Sequence, residues 1–202
     1  MYSITFSLLR HYDIKQYQVT MKKISKAFFA LSATILIAGY LLPERKAMPC
    51  CTHADYNHDS FWHWPWTRGE VGHPHTGIDI FGHVGTPVVS QTGGLVIYAK
   101  NMPGKAGNSV FVLGPKWRIH EYLHLNTIDC TVMDYVRPGE LIGTLGKSGN
   151  AASTPAHVHY GIVTPIPYVW KAFGTAGTCN PPQRFNWRLM FWLDPADHLP
   201  IK

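Results

Sequence analysis

The 202-residue chain reads as a compact all-β domain behind an N-terminal apolar leader, and three observations predict this. From Gly72 onward, short runs rich in β-branched and aromatic residues alternate with Gly- and Pro-marked turns. No amphipathic helix of useful length interrupts those runs. Upstream, the sixteen residues 27–42 (AFFALSATILIAGYLL) are almost wholly apolar.

The strands come first. Runs at Gly77–Phe81, Pro87–Ser90, Gly94–Ala99, Ser109–Leu113, Arg118–Leu123, Leu141–Leu145 and His157–Val163 carry strand-type composition. Turn chemistry punctuates them at Pro103-Gly104, Pro138-Gly139 and Ser148-Gly149-Asn150, where Gly and Asn tolerate the backbone angles that tight turns require. The tail from Asn186 to Leu193 (NWRLMFWL) is apolar enough to pack on the core as a short helix or strand. With 46% apolar and 13% aromatic residues, the chain can bury one good core. The reading divides it into a leader at 1–48, a His- and Trp-rich arm at 49–68 and a domain at 69–202.

The leader accounts for most of the charge. Up to Met48 there are seven lysines and arginines against Asp13 and Glu44, a balance of +5 out of the total of +6. The remainder, 11 basic against 10 acidic residues, lacks the basic footprint of a nucleic-acid binder, so no nucleic-acid partner is expected. Lys22, Lys23 and Lys26 ahead of the apolar run give it the form of a secretory signal. The run is shorter than the roughly 20 residues that comfortably span a bilayer, yet no clear small-x-small cleavage site follows it. Both a cleaved signal and a retained inner-membrane anchor at 27–42 fit, and in either case the positive flank places the domain outside the cytoplasm. Four cysteines (Cys50, Cys51, Cys130, Cys179) in an exported chain permit disulfides, with three possible pairings. None has C-x-x-C spacing, which argues against a cysteine zinc site.

The chemistry lies in three short segments. In an extended His75-Thr-Gly-Ile-Asp79, side chains at i, i+2 and i+4 share a face, so His75 and Asp79 point together across Gly77. In His157-Val-His159-Tyr-Gly161 both histidines share one face, while Val158, Tyr160 and Ile162 turn to the core. In Tyr122-Leu-His124-Leu the same alternation places Tyr122 with His124, opposite Leu123 and Leu125. One face of a sheet is thus expected to gather His75, Asp79, His124, His157 and His159. Imidazole and carboxylate are the ligands of a catalytic zinc, three of which leave a position open for water. The two histidines left over can take the proton from that water and stabilise a developing oxyanion. The other histidines, among them His120 and His198, are expected to be ordinary satisfied or exposed side chains.

These segments resemble the lysostaphin-type, or LytM-domain, zinc metallopeptidases. The family's H-x-G-x-D signature is matched by His75 to Asp79 and followed by Gly85-Thr86-Pro87-Val88. Its Y-x-H-L element appears as Tyr122-Leu123-His124-Leu125. Its final segments appear as Pro138-Gly139-Glu140-Leu141-Ile142-Gly143 and as Gly146-Lys147-Ser148-Gly149 leading to His157-Val158-His159-Tyr160.

The resemblance, which covers 72–164, implies zinc ligation by His75, Asp79 and His159, with His124 and His157 as the catalytic histidines. It also implies mostly antiparallel sheets of the duplicated hybrid motif, and a zinc endopeptidase acting on the peptide crosslinks of peptidoglycan in the periplasm or cell envelope. The alternative is a non-enzymatic envelope module that binds peptidoglycan or activates another wall hydrolase, a role relatives with lost ligands take. The stretches 148–157 and 164–184 depart from the family pattern and bear on substrate preference. Asn57, His58 or His63 in the arm could supply a further ligand and inhibit, although a segment so rich in Trp and Phe more readily packs.

Overall fold

The computed structural model describes residues 2–50, 55–56, 60–62, 74–104, 106–173 and 187–200. It separates into two compact units, Met1–Leu42 and Pro43–Lys202. The first unit is the helix α1 (Tyr2–Leu41). Within it, Gln16–Leu41 is long and apolar enough to cross a membrane, so the helical stretch extends well upstream of the apolar run at 27–42. Phe28, Phe29, Ile37 and Leu41 are all exposed along it.

The second unit is built from antiparallel strands. The larger sheet runs β1 (Asp55–Tyr56), β2 (Gly77–Phe81), β10 (His157–Val163), β6 (Ile119–Leu125), β5 (Gly107–Leu113), β4 (Gly94–Met102) and β8 (Tyr135–Val136), with β11 (Trp192–Leu193) also pairing β10. The smaller sheet orders β3 (Pro87–Val89), β9 (Leu141–Thr144) and β7 (Thr127–Ile128). Fully buried Ile78, Ile80, Tyr122, Val158, Tyr160 and Ile162 from the larger sheet share one core with Val88 and Ile142 from the smaller. The architecture is therefore sandwich-like, with one face of the large sheet packed against the smaller sheet.

Strand positions follow the sequence pattern closely, and β2 and β10 coincide with the expected runs. β7 and β8 were not expected, since two-residue strands carry too few residues to show a period. The tail contributes a short 3-10 turn at Trp187–Met190 and the strand β11. Residues 43–48, read as leader, join the second unit: Ala47 N–H donates to the Gln91 carbonyl at 2.7 Å and Val89 N–H to the Pro49 carbonyl at 2.8 Å. Cys50 is buried and Cys130 partly buried, while Cys51 and Cys179 lie outside the described residues.

Candidate metal centre

The site is set by register. β10 pairs β2 so that His159 lies directly opposite Asp79 and His157 opposite Phe81. Cross-strand partners share a face, so His157, His159 and Asp79 stand together while Val158, Ile80, Tyr160 and Ile78 fill the core behind. His75 precedes β2 and reaches the same point. Gly77 makes the approach possible, because a Cβ there would stand 2.6 Å from His159 Nε2 and would also collide with the Tyr160 carbonyl.

His124 arrives by a different route. β6 sits beside β10 with Tyr122 opposite Tyr160, so Tyr122 belongs to the core and not to the site face. Strict alternation would bury His124 on that same core side. Instead His124 has a φ of 64°, a left-handed conformation that interrupts the alternation. The imidazole is thereby turned to the front, with ring centroids 5.1 Å from His157 and 6.2 Å from His159, while Leu125 goes to the core. The expected pairing of Tyr122 with His124 on one face is thus corrected, and the local backbone is the reason.

Three ligand-type atoms converge. His75 Nε2 is 3.1 Å from Asp79 Oδ1, His159 Nδ1 is 3.1 Å from the same oxygen, and the two nitrogens are 3.0 Å apart. Tetrahedral ligands around zinc stand roughly 3.3 Å from one another, given bond lengths of about 2.0–2.1 Å, so the triangle has the size such an ion needs. Its hydrogen bonding points the same way. His75 Nδ1 donates to the Ser60 carbonyl at 2.9 Å, which leaves Nε2 of neutral His75 as a lone pair facing an oxygen of Asp79. An Asp79 oxygen between two imidazoles favours positive charge at this point, whether as a proton on His75 or as a bound cation.

The remaining imidazoles are held in the same manner. His124 Nδ1 donates to the Ser148 carbonyl at 2.9 Å, and His157 Nδ1 to the Pro155 carbonyl at 2.8 Å. Each therefore presents Nε2 to the site; that of His157 is 3.8 Å from Asp79 Oδ1. Backbone carbonyls that fix the tautomer and aim of a histidine are a regular companion of metal sites.

Burial and charge tune these groups. Burial works to raise the Asp79 carboxyl, but hydrogen bonds from His159 and His75 prevail and hold it well below the usual carboxylate range. Burial likewise opposes the charged form of His75, yet the Asp79 hydrogen bond and charge raise it above the ordinary value. His159 is lowered, chiefly by burial. Burial pushes His124 down to about 4, so its Nε2 carries a lone pair at neutral pH.

Sequence reading missed the three orienting carbonyls of Ser60, Ser148 and Pro155. No signal could have exposed them, since a main-chain oxygen is independent of side-chain type. Ser60 lies in the arm, whose Phe61 and Trp62 are buried and whose Trp62 N–H donates to the His75 carbonyl at 2.7 Å. Asn57, His58 and His63 lie outside the described residues.

Comparison with known proteins adds the lineage. Residues 73–168 match the model of Peptidase family M23. The chain carries an M23 peptidase domain. Lysostaphin of Staphylococcus simulans is 28% identical over 71% of this chain and 33% of its own length. The structure of its catalytic domain covers 72% of this chain and 91% of that one, with a TM-score of 0.51 at 23% identity, a likeness of fold. The L-Ala--D-Glu endopeptidase of Bacillus subtilis (strain 168) is 33% identical over 61% of this chain and 40% of its own length. A zinc containing peptidase from Vibrio cholerae matches structurally with a TM-score of 0.51 and 26% identity, covering 59% of this chain and 36% of that one. The chain thus spans well under half of the curated relatives it matches. The mostly antiparallel sheets behind one N-terminal apolar helix agree with the M23 fold.

Proposed function

We propose that this M23 protein is a zinc endopeptidase that hydrolyses peptide bonds in the crosslinks of bacterial peptidoglycan. The observation that carries the reading is the convergence of His75 Nε2, Asp79 Oδ1 and His159 Nδ1 at 3.0–3.1 Å from one another, with two further imidazoles beside them. In this reading His75, Asp79 and His159 hold the ion. Zinc held there would supply Lewis acidity and an activated water at neutral pH. His124, kept neutral by burial, accepts the proton of the attacking water at Nε2. His157, fixed at Nδ1 by the Pro155 carbonyl, donates from Nε2 when protonated and stabilises the oxyanion. The Ser60, Ser148 and Pro155 carbonyls keep these rings aimed, which limits the reorganisation the reaction demands.

The names of the relatives support the substrate class, and the complete set of five side chains favours a working enzyme over a binding module. Export fits the same reading. The apolar helix ending at Leu41 either directs secretion or stays as an inner-membrane anchor, with the unit from Pro43 onward in the periplasm or envelope.

The test is digestion of purified peptidoglycan by the zinc-loaded full chain, with mass spectrometry of the released fragments. Peptide cleavage products are expected, and their masses name the bond. Intact peptides after prolonged incubation with zinc bound would remove the hydrolase reading.

A further inference from the structure

The face of the sheet that bears the metal cluster continues beyond it. His157, His159 and Gly161 share that face of β10, and Gly161 is flanked by Gly77 of β2 on one side and Glu121 of β6 on the other. Neither glycine adds a side chain to that face, and the neighbouring groups lie close over both. A Cβ placed on Gly161 would stand 3.3 Å from Glu121 Oε2, 3.5 Å from the Thr76 carbonyl oxygen and 3.7 Å from Cζ3 of the Trp192 ring. Both polar groups that border the spot are acceptors, and the third neighbour is an aromatic ring that restricts water.

Among the described residues, Glu121 differs from the paired acids of the domain. Glu44 is paired with Arg118, Asp79 with two histidines, Asp134 with Thr131, and Glu140 with the Arg137 N–H. Glu121 has no hydrogen bond or ion pair among the described residues, although it is largely buried. Its oxygens are nonetheless not sealed from solvent. Burial alone pushes this carboxyl up to about 7, with no neighbouring cation to offset it. A carboxyl kept in such a place costs stability, and the cost is recovered only when a donor of positive charge arrives.

We propose that Glu121 and the Thr76 carbonyl, beside Trp192, form a subsite for a primary ammonium group carried by the substrate peptide. The inference rests on the hydrolase reading above. Gly161 lies two residues along β10 from His159, so the subsite stands about 7 Å from the metal centre at roughly 3.3 Å per residue. An extended peptide covers that distance in two residues. The group captured is thus an amino terminus close to the scissile bond, or the free side-chain amine of a diamino acid. The site would select crosslinks in which that amine is unacylated.

The experiment compares zinc-loaded wild type and Glu121→Gln, both as full chains in detergent, on peptidoglycan with free amines and on the same material N-acetylated with acetic anhydride. Wild type is expected to favour the free-amine substrate by about tenfold in kcat/KM, the size of one charge-assisted contact. Glu121→Gln should lose that preference while binding the same equivalent of zinc and melting no lower than wild type. A wild type indifferent to acetylation, or a variant that keeps the preference, would overturn the subsite. If wild type cleaves neither material, the hydrolase reading fails and the subsite is judged by binding. Millimolar 1,5-diaminopentane should then raise the melting temperature of wild type and not of Glu121→Gln, and equal shifts would overturn it.

Discussion

The large sheet carries a polar cluster on each face, and the two use histidine for opposite ends. On the front, His75, Asp79 and His159 bring three ligand atoms together, and backbone carbonyls hold the far nitrogens of His75, His124 and His157. On the back, Glu44 Oε2 meets Arg118 Nη1 at 2.8 Å and Lys116 Nζ at 3.6 Å, while His120 Nδ1 and the Tyr160 hydroxyl share a hydrogen bond of 2.8 Å. There the cations are already part of the chain. The front therefore gathers ligand atoms suited to an ion from outside, whereas the back already contains its own cations. Tyr160 and His159 are neighbours on one strand, so a single peptide unit separates the two kinds of chemistry.

The largest effect that would sharpen this contrast comes from His159→Ala. It should abolish stoichiometric zinc binding, measured by elemental analysis, and lower peptide hydrolysis by at least about 10⁴-fold. Next is His124→Ala, expected to keep zinc and to lose about 10²–10⁴-fold in turnover, the usual contribution of a proton-transfer group. A variant that hydrolyses at near-normal rates would remove His124 from the chemistry.

On the back face, Glu44→Ala should leave zinc content unchanged and destabilise the domain by about 3 kcal/mol, because Arg118 would be buried without its carboxylate. Denaturant unfolding measures it, and a loss of zinc instead would show the two clusters to be coupled.

The smallest effect concerns acid. Burial, with Arg118 adding, pushes His120 down to about 3, and Glu44 Oε1 at 3.9 Å is too far to hydrogen-bond and offset this. The unfolded chain protonates His120 near pH 6.5 while the folded chain resists, so stability present above pH 6.5 is lost progressively as pH falls toward 3. Between pH 7 and 4.5 this group should cost about 2 kcal/mol, read as a steeper fall in thermal stability than His120→Gln shows.

The front cluster was largely legible and the back was not. His75-Thr-Gly-Ile-Asp79 and His157-Val-His159 declare their shared faces because a strand alternates with a period of two residues, and β2 and β10 do so without interruption. In β6 the same rule fails for the pair Tyr122 and His124, since the left-handed residue resets the phase. His120, one turn of the pleat away, looked like any other histidine, and its role depends on Glu44, Arg118 and His198, which are remote in sequence. Glu121 was silent for the same reason: nothing local marks an acid that lies opposite a glycine of another strand.

By itself the sequence determined which residues can carry the chemistry, the strand pattern that alternates them against a core, and the apolar helix ahead of them, since all three rest on local periodicity and side-chain type. The tertiary structure alone decided which histidine faces which cluster, which backbone carbonyls aim the rings, and where Glu121 lies. Those depend on register and on one left-handed residue, and strand register is settled by contacts between segments about 80 residues apart such as Asp79 and His159.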